Sequence, residues 1–217
     1  MFPQFCEGCG EPLFEHNKLL CTYCEQDIPL AYYTDFKDNP LEEKFWGRTI
    51  IENATSLYLF EKSSAVQKMA HNLKYNGKTY IGLELGQRLG LEIKNSSRFN
   101  DVDIIMPVPI HWKRFIKRGY NQSYFIAKGL AQQLNKPIDT KSFVRAKKTK
   151  TQTKKNRVER WQNVNTVFSV IDPESIRNKH ILLVDDIVTT GSTLEACVNT
   201  LLKAGNIKVS IAAIASV

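Results

Sequence analysis

Apolar positions along this chain follow two rhythms, and their alternation lays out an architecture. In SSAVQKMAHNLKYNG, Val66, Met69, Ala70 and Leu73 recur at helical spacing. Ser64 stands where a hydroxyl caps a helix N-terminus, and Gly77 follows the end. A second helix is predicted over Tyr80–Ile93, with Ile81, Leu85, Leu89 and Ile93 on one face. DVDIIMPVPI then reads as a short aliphatic strand stopped by two prolines, and NQSYFIAKGLAQQLN as a helix aligning Ile126, Leu130 and Leu134. HILLVDDI is an uninterrupted apolar strand, of the kind buried on both faces of a parallel sheet. STLEACVNTLLKAG gives a helix with Leu194, Val198 and Leu201 aligned and Gly205 as its stop, and IKVSIAAIASV closes as a strand. Strands alternating with helices define an α/β domain whose sheet is mostly parallel.

The start of the chain follows neither rhythm. CEGCGEPLFEHNKLLCTYC holds two Cys-x-x-Cys knuckles, Cys6/Cys9 and Cys21/Cys24, with eleven residues between them. A knuckle turns two thiolates toward one tetrahedral ion, and in a reducing compartment such pairs point to metal before disulfides. The reading is a closed Cys₄ structural zinc site, which leaves no open position for substrate. His16 lies in the intervening loop and is read as a surface residue. Residues 1–30 are taken as this module, 31–55 as a connector, and 56–217 as the α/β domain.

Composition narrows the setting without choosing a function. The 217 residues are 42% hydrophobic, enough for one substantial core with a small satellite. Thirty Lys and Arg against 22 Asp and Glu leave a net charge of +8, which favours polyanionic partners, metabolites or nucleic acid alike. MFPQFCEGCG has no signal-peptide pattern and no apolar run is long enough to span a membrane, so a cytoplasmic location with no membrane insertion is expected.

The stretch carrying chemistry is ILLVDDIVTTGST, Ile181–Thr193. Ligands of open parallel sheets sit beyond the carboxyl ends of the strands, where this stretch places Asp185, Asp186 and a Thr-Thr-Gly-Ser-Thr turn. The turn offers backbone N–H groups and hydroxyls at a helix N-terminus, which suits a phosphate monoester. Adjacent carboxylates repel, so they are expected at the exposed strand tip, accepting hydrogen bonds from vicinal hydroxyls. Neither the G-x-x-x-x-G-K loop nor a G-x-G-x-x-G fingerprint is present.

This stretch is similar to the phosphoribosyl pyrophosphate (PRPP) motif of type I phosphoribosyltransferases. The Cys₄ knuckles, LKYNGK, PVPIHWKRFIKRGYNQS and the PRPP-like motif, in that order, resemble the ComF family, competence-associated phosphoribosyltransferase-like proteins of bacterial natural transformation. The resemblance implies a type I phosphoribosyltransferase fold and a role linked to DNA uptake. It makes Asp185 and Asp186 the ribose-hydroxyl acceptors and Thr189, Thr190, Gly191, Ser192 and Thr193 the 5′-phosphate cradle. Arg118 and Asn121, in the RGYNQ signature, fall at the site's rim as further PRPP contacts. Magnesium would arrive with PRPP, held largely by its oxygens. The implied reaction is displacement of pyrophosphate by a nitrogen nucleophile. With no glutaminase domain behind MFPQFC, glutamine-dependent amidotransfer is not expected.

Two basic segments keep a second reading open. From Lys141 to Arg160 there are nine Lys and Arg and one acid, Glu159. VRAKKTKTQTKKNRVERWQNVNTVF, which overlaps this segment, occupies the place of the family's catalytic hood, where Lys154, Lys155 and Arg157 would neutralise the leaving pyrophosphate. It could equally be a solvated loop, or line a path for single-stranded DNA beside Trp161. HWKRFIKRGYNQS interleaves Lys113, Arg114, Lys117 and Arg118 with Trp112, Phe115 and Tyr120: either an amphipathic helix with its aromatics inward, or a stacking surface. The alternative function is therefore a non-catalytic DNA-handling protein using PRPP as effector or keeping the site vestigially, with single-stranded DNA and other DNA-uptake proteins as partners. A PRPP-dependent transcriptional regulator fits less well, because no helix-turn-helix is apparent. Cys197 is expected in the core, and His71 and His111 are assigned no role.

Overall fold

Four parallel strands in the order β3-β8-β7-β4 form the sheet of this computed structural model, which describes residues 4–14, 19–145 and 167–217. The strands are β3 (Ala54–Leu59), β4 (Ile104–Pro107), β7 (His180–Val188) and β8 (Lys208–Ser216). Ahead of them come the short β1 (Gln4–Phe5), β2 (Pro12–Leu13), α1 (Thr22–Asp27) and α2 (Pro40–Glu43). The remaining helices are α3 (Ala65–Tyr75), α4 (Thr79–Asn95), α5 (Trp112–Arg118), α6 (Gln122–Leu134) and α7 (Ser192–Leu202). A separate two-stranded antiparallel ribbon pairs β5 (Phe143–Arg145) with β6 (Phe168–Val170).

The apolar run in β7 is explained by burial on both faces. Leu182 and Val184 join a core with Ile81, Leu85 and Leu89 of α4 and Ile126 and Leu130 of α6. Ile181 and Leu183 face the opposite core, with Leu194, Cys197, Val198 and Leu201 of α7. Cys197 is fully buried, as expected for a core residue. Helices α4 and α6 cross so closely that two glycines become obligatory. A Cβ on Gly86 would strike the Ile126 carbonyl, and one on Gly129 the Leu83 carbonyl.

The predicted elements are present with small shifts at their ends. Ser64 caps α3 by accepting from the Gln67 N–H, and Val66, Met69 and Leu73 are buried beneath it. The strand β3 lies in the sequence where no strand was expected. It pairs along β8 from Ala54–Ile211 to Leu59–Ser216. Part of the stretch read as a connector covers the sheet, with Leu41 and Phe45 fully buried. No helix among the described residues is long and apolar enough to cross a membrane.

Candidate functional site at the carboxyl edge of the sheet

β7 ends in the two carboxylates, and the fold treats them unequally. Asp185 Oδ1 accepts from Ser123 Oγ at 3.0 Å and from the Asp186 N–H at 2.9 Å. Asp186 Oδ1 accepts from the Ile187 N–H at 2.8 Å, and its Oδ2 lies 2.6 Å from Lys74 Nζ at the end of α3. That last contact is an ion pair by distance, with angles outside those of a hydrogen bond. Asp186 is buried and Asp185 only partly open, so the pair is less solvated than the sequence suggested. The Lys74 cation, rather than water, offsets their repulsion. Burial first, and then the Asp186 charge, push the Asp185 carboxyl up to about 7, while the Asp186 N–H, Ser123 and Lys74 pull it down.

The turn after β7 is held from outside. Gly191 has φ +75°, the left-handed conformation that opens α7, and a Cβ there would lie 3.1 Å from the Phe45 ring. Arg48 donates to the Thr190 carbonyl at 2.8 Å and to Ser192 Oγ at 3.3 Å, and pairs with Glu195 in the first turn of α7. The N-cap Gly191 offers α7 no side-chain cap, Thr190 Oγ1 accepts from the Ser192 N–H at 3.5 Å, and the basin at this N-terminus is lined by Asp185 and Thr189–Thr193.

Beside the acids opens a cleft of about 500 Å³ whose wall is cationic. Lys74, Arg114, Lys117, Arg118 and Arg145 line it, with Tyr75, Tyr120 and Gln122. Arg118 donates to the Gln122 side chain and stacks over Tyr75, 5.4 Å from the ring centre. Asn121 faces the fold instead. It caps α6 through the Ser123 N–H and donates to the Val108 carbonyl at 3.0 Å. Lys154, Lys155, Arg157 and Trp161 lie outside the described residues, as does His16.

The aromatics of helix α5 do not pack inward. Its cations Arg114, Lys117 and Arg118 line the cleft, while Trp112, Phe115 and Ile116 are 44, 51 and 72% exposed. His111 caps this helix by accepting from the Lys113 N–H.

The four cysteine sulfurs lie within 4.8 Å of one another, as a shared tetrahedral metal requires. Burial raises the Cys6 thiol, but N–H groups of Cys21, Cys9 and Gly8 bring it down to about 6, whereas burial and the neighbouring cysteines push the Cys24 thiol up. Between Cys6 and Cys9, the buried Glu7 accepts from Asn72 at 2.7 Å, from Lys78 at 2.8 Å and from Tyr80. Lys68 adds a 2.7 Å bond to the Gly8 carbonyl. The knuckle is thereby fixed to α3, the helix that presents Lys74 to Asp186. A larger cavity of about 640 Å³, lined by His71 among others, lies against the knuckle. Its Lys68 and Lys78 are tied to Gly8 and Glu7, so the free cations and the raised carboxyl belong to the smaller cleft.

Ser123, Lys74, Arg48, Glu7 and Arg145 are the site's residues that sequence reading did not assign. LKYNGK and NQS were the available signals for Lys74 and Ser123, whereas Arg48 sits in WGR with no pattern around it.

Comparison with known proteins agrees with this geometry. The phosphoribosyl transferase domain family matches residues 121–217, which carry the acidic pair, the turn and the flanking helices α6 and α7. Competence protein F of Haemophilus influenzae is 28% identical over 92% of this chain and 85% of its own length. The DNA utilization protein YhgH of Salmonella typhi is 30% identical over 95% of this chain and 81% of its own. A glutamine PRPP amidotransferase from B. subtilis overlaps 65% of this chain and 30% of its own at 20% identity and a TM-score of 0.45, which adds nothing to the family match. The fold and site thus define a phosphoribosyltransferase-type domain with a four-cysteine module ahead of it. The chain belongs to the ComF family of competence and DNA-utilization proteins.

Proposed function

We propose that this protein binds PRPP with magnesium and transfers its phosphoribosyl group to a nitrogen acceptor, releasing pyrophosphate. The observation that carries the reading is the acidic pair at the tip of β7, set between the N-terminus of α7 and the cleft cations Arg114, Lys117 and Arg118. The turn Thr189–Thr193 would take the 5′-phosphate on N–H groups and hydroxyls, with Arg48 holding its shape. Asp185 and Asp186 would accept from the ribose hydroxyls. Arg114, Lys117 and Arg118 would draw the pyrophosphate, whose oxygens carry the magnesium. As the C1–oxygen bond breaks, pyrophosphate leaves with the electron pair, and the acceptor nitrogen's lone pair forms the new bond to C1. The chain supplies orientation and charge rather than a nucleophile of its own. The four cysteines would hold a structural zinc ion that takes no part in this step.

A second reading has its own observation. The exposed Trp112 and Phe115, on a helix whose other face is cationic, would suit a module that handles single-stranded DNA in natural transformation, with PRPP as effector. The names of the relatives point the same way.

Calorimetry with PRPP and magnesium tests the shared part. Binding that is lost in the Asp185→Asn, Asp186→Asn double variant is expected, and no binding by the unmodified protein defeats the proposal. Pyrophosphate release across a panel of nitrogen acceptors separates enzyme from effector site. An oligonucleotide titration at rising salt, with Lys154, Lys155 and Arg157 reversed in charge, tests the DNA reading.

A further inference from the structure

One cation of the cleft stands apart from the rest. Arg145 is the last residue of β5, and its side chain makes no hydrogen bond or ion pair among the described residues. Its Nε is buried and unpartnered. Its guanidinium lies over the ring of Phe168, its register partner on β6, with Cζ 5.3 Å from the ring centre. Burial, and then the Arg114 charge, hold its pKa below the usual arginine value. A guanidinium held beside an aromatic ring keeps its terminal N–H donors as a fork suited to a carboxylate or phosphate.

The rest of the cleft already has an assignment for each charge on the donor. The turn faces the 5′-phosphate, the acids face the ribose, and the α5 cations face the pyrophosphate. Arg145 comes from a different element, the ribbon, and is left over. We propose that the acceptor is itself an anion, a nitrogen compound bearing a carboxylate or phosphate, and that Arg145 binds that oxyanion from its seat on Phe168. This rests on the phosphoribosyl-transfer reading, whose bond changes it leaves as written above. It adds only which acceptors can be held beside C1.

The test uses the full chain in three forms, unmodified, Arg145→Lys and Arg145→Gln. PRPP with magnesium is titrated into each first. The unmodified protein and Arg145→Gln should bind it within threefold of each other. Failure of the unmodified protein to bind defeats the transfer reading itself. A loss above tenfold confined to Arg145→Gln places Arg145 on the donor pyrophosphate and overturns this inference. Nicotinate against nicotinamide, and adenosine monophosphate against adenosine, are then titrated with the donor site filled by ribose 5-phosphate and magnesium pyrophosphate. The anionic member of at least one pair should bind tenfold tighter. Arg145→Gln should erase the preference and Arg145→Lys keep part of it. The pair that responds tells a carboxylate from a phosphate. No preference in either pair, or one that Arg145→Gln leaves intact, overturns the inference.

Discussion

Lys74 Nζ sits 2.6 Å from Asp186 Oδ2, a cation from the end of one helix against the last carboxylate of a buried strand. Without it, two adjacent acids would share a poorly solvated pocket. Lys74→Met should therefore destabilise the chain by about 2–4 kcal/mol at pH 8, because it leaves a buried charge unpaired. The loss should shrink toward pH 5, where Asp185 holds its proton and the pocket keeps one charge fewer. Urea unfolding at both values checks this, and the added Asp186→Asn change should restore most of the stability.

Asp185 gives a second pH effect with its own sign. Its carboxyl is raised to about 7 in the folded chain, so the native state holds a proton that the unfolded state has released. Stability should fall as pH rises from about 4 to 7, and Asp185→Asn should flatten that slope. Under the PRPP reading, ligand hydroxyls favour the ionised form. Binding at pH 6.5 should then release a proton, seen as a calorimetric enthalpy that changes with buffer.

The four-cysteine module should matter to the distant site through Glu7. Glu7→Ala leaves Asn72, Lys78 and Tyr80 without their shared acceptor. One metal ion per chain is expected by zinc analysis, and the variant should retain it. Its PRPP affinity should nevertheless fall at least fivefold as α3 loosens. Removing the metal by chelation should lower both stability and affinity.

Arg48→Ala should act on the turn alone. Its contacts to Thr190, Ser192 and Glu195 are half-exposed, so stability should change by less than about 1 kcal/mol. PRPP binding should weaken roughly five- to tenfold, read by the same calorimetry, since the cradle would lose its brace.

Gly86→Ala should be costly far from any ligand. The new methyl would collide with the Ile126 backbone carbonyl, which cannot turn aside as a side chain can. A loss of about 2–4 kcal/mol in urea unfolding is expected.

What the sequence disclosed was periodic or local. The stripes of α3, α4, α6 and α7 and the apolar run of β7 are repeating patterns, and the acidic pair with its turn is one continuous motif. Strand β3 was missed because ATSLYL is short and its Thr55 and Ser56 are polar. Both are buried, and hydrogen bonds from Thr34 and Ser216 satisfy their hydroxyls. The exposed position foreseen for the acids failed for a related reason. Their offsetting cation lies 112 residues away in sequence, 186 − 74, and no local pattern marks it. Arg48 reaches Ser192 across a similar distance. Partners that meet only through folding carry no spacing to read.

The place of β8 has a consequence for how the protein is made. This strand is hydrogen-bonded to β3 on one side and to β7 on the other, yet it is the last of the four to leave the ribosome. During synthesis β3 has only residues 29–31 to join, and its other edge waits unpaired while the rest of the chain emerges. The sheet between β3 and β7 therefore closes only once translation has passed Ser216, and the acidic pair gains its full frame only then.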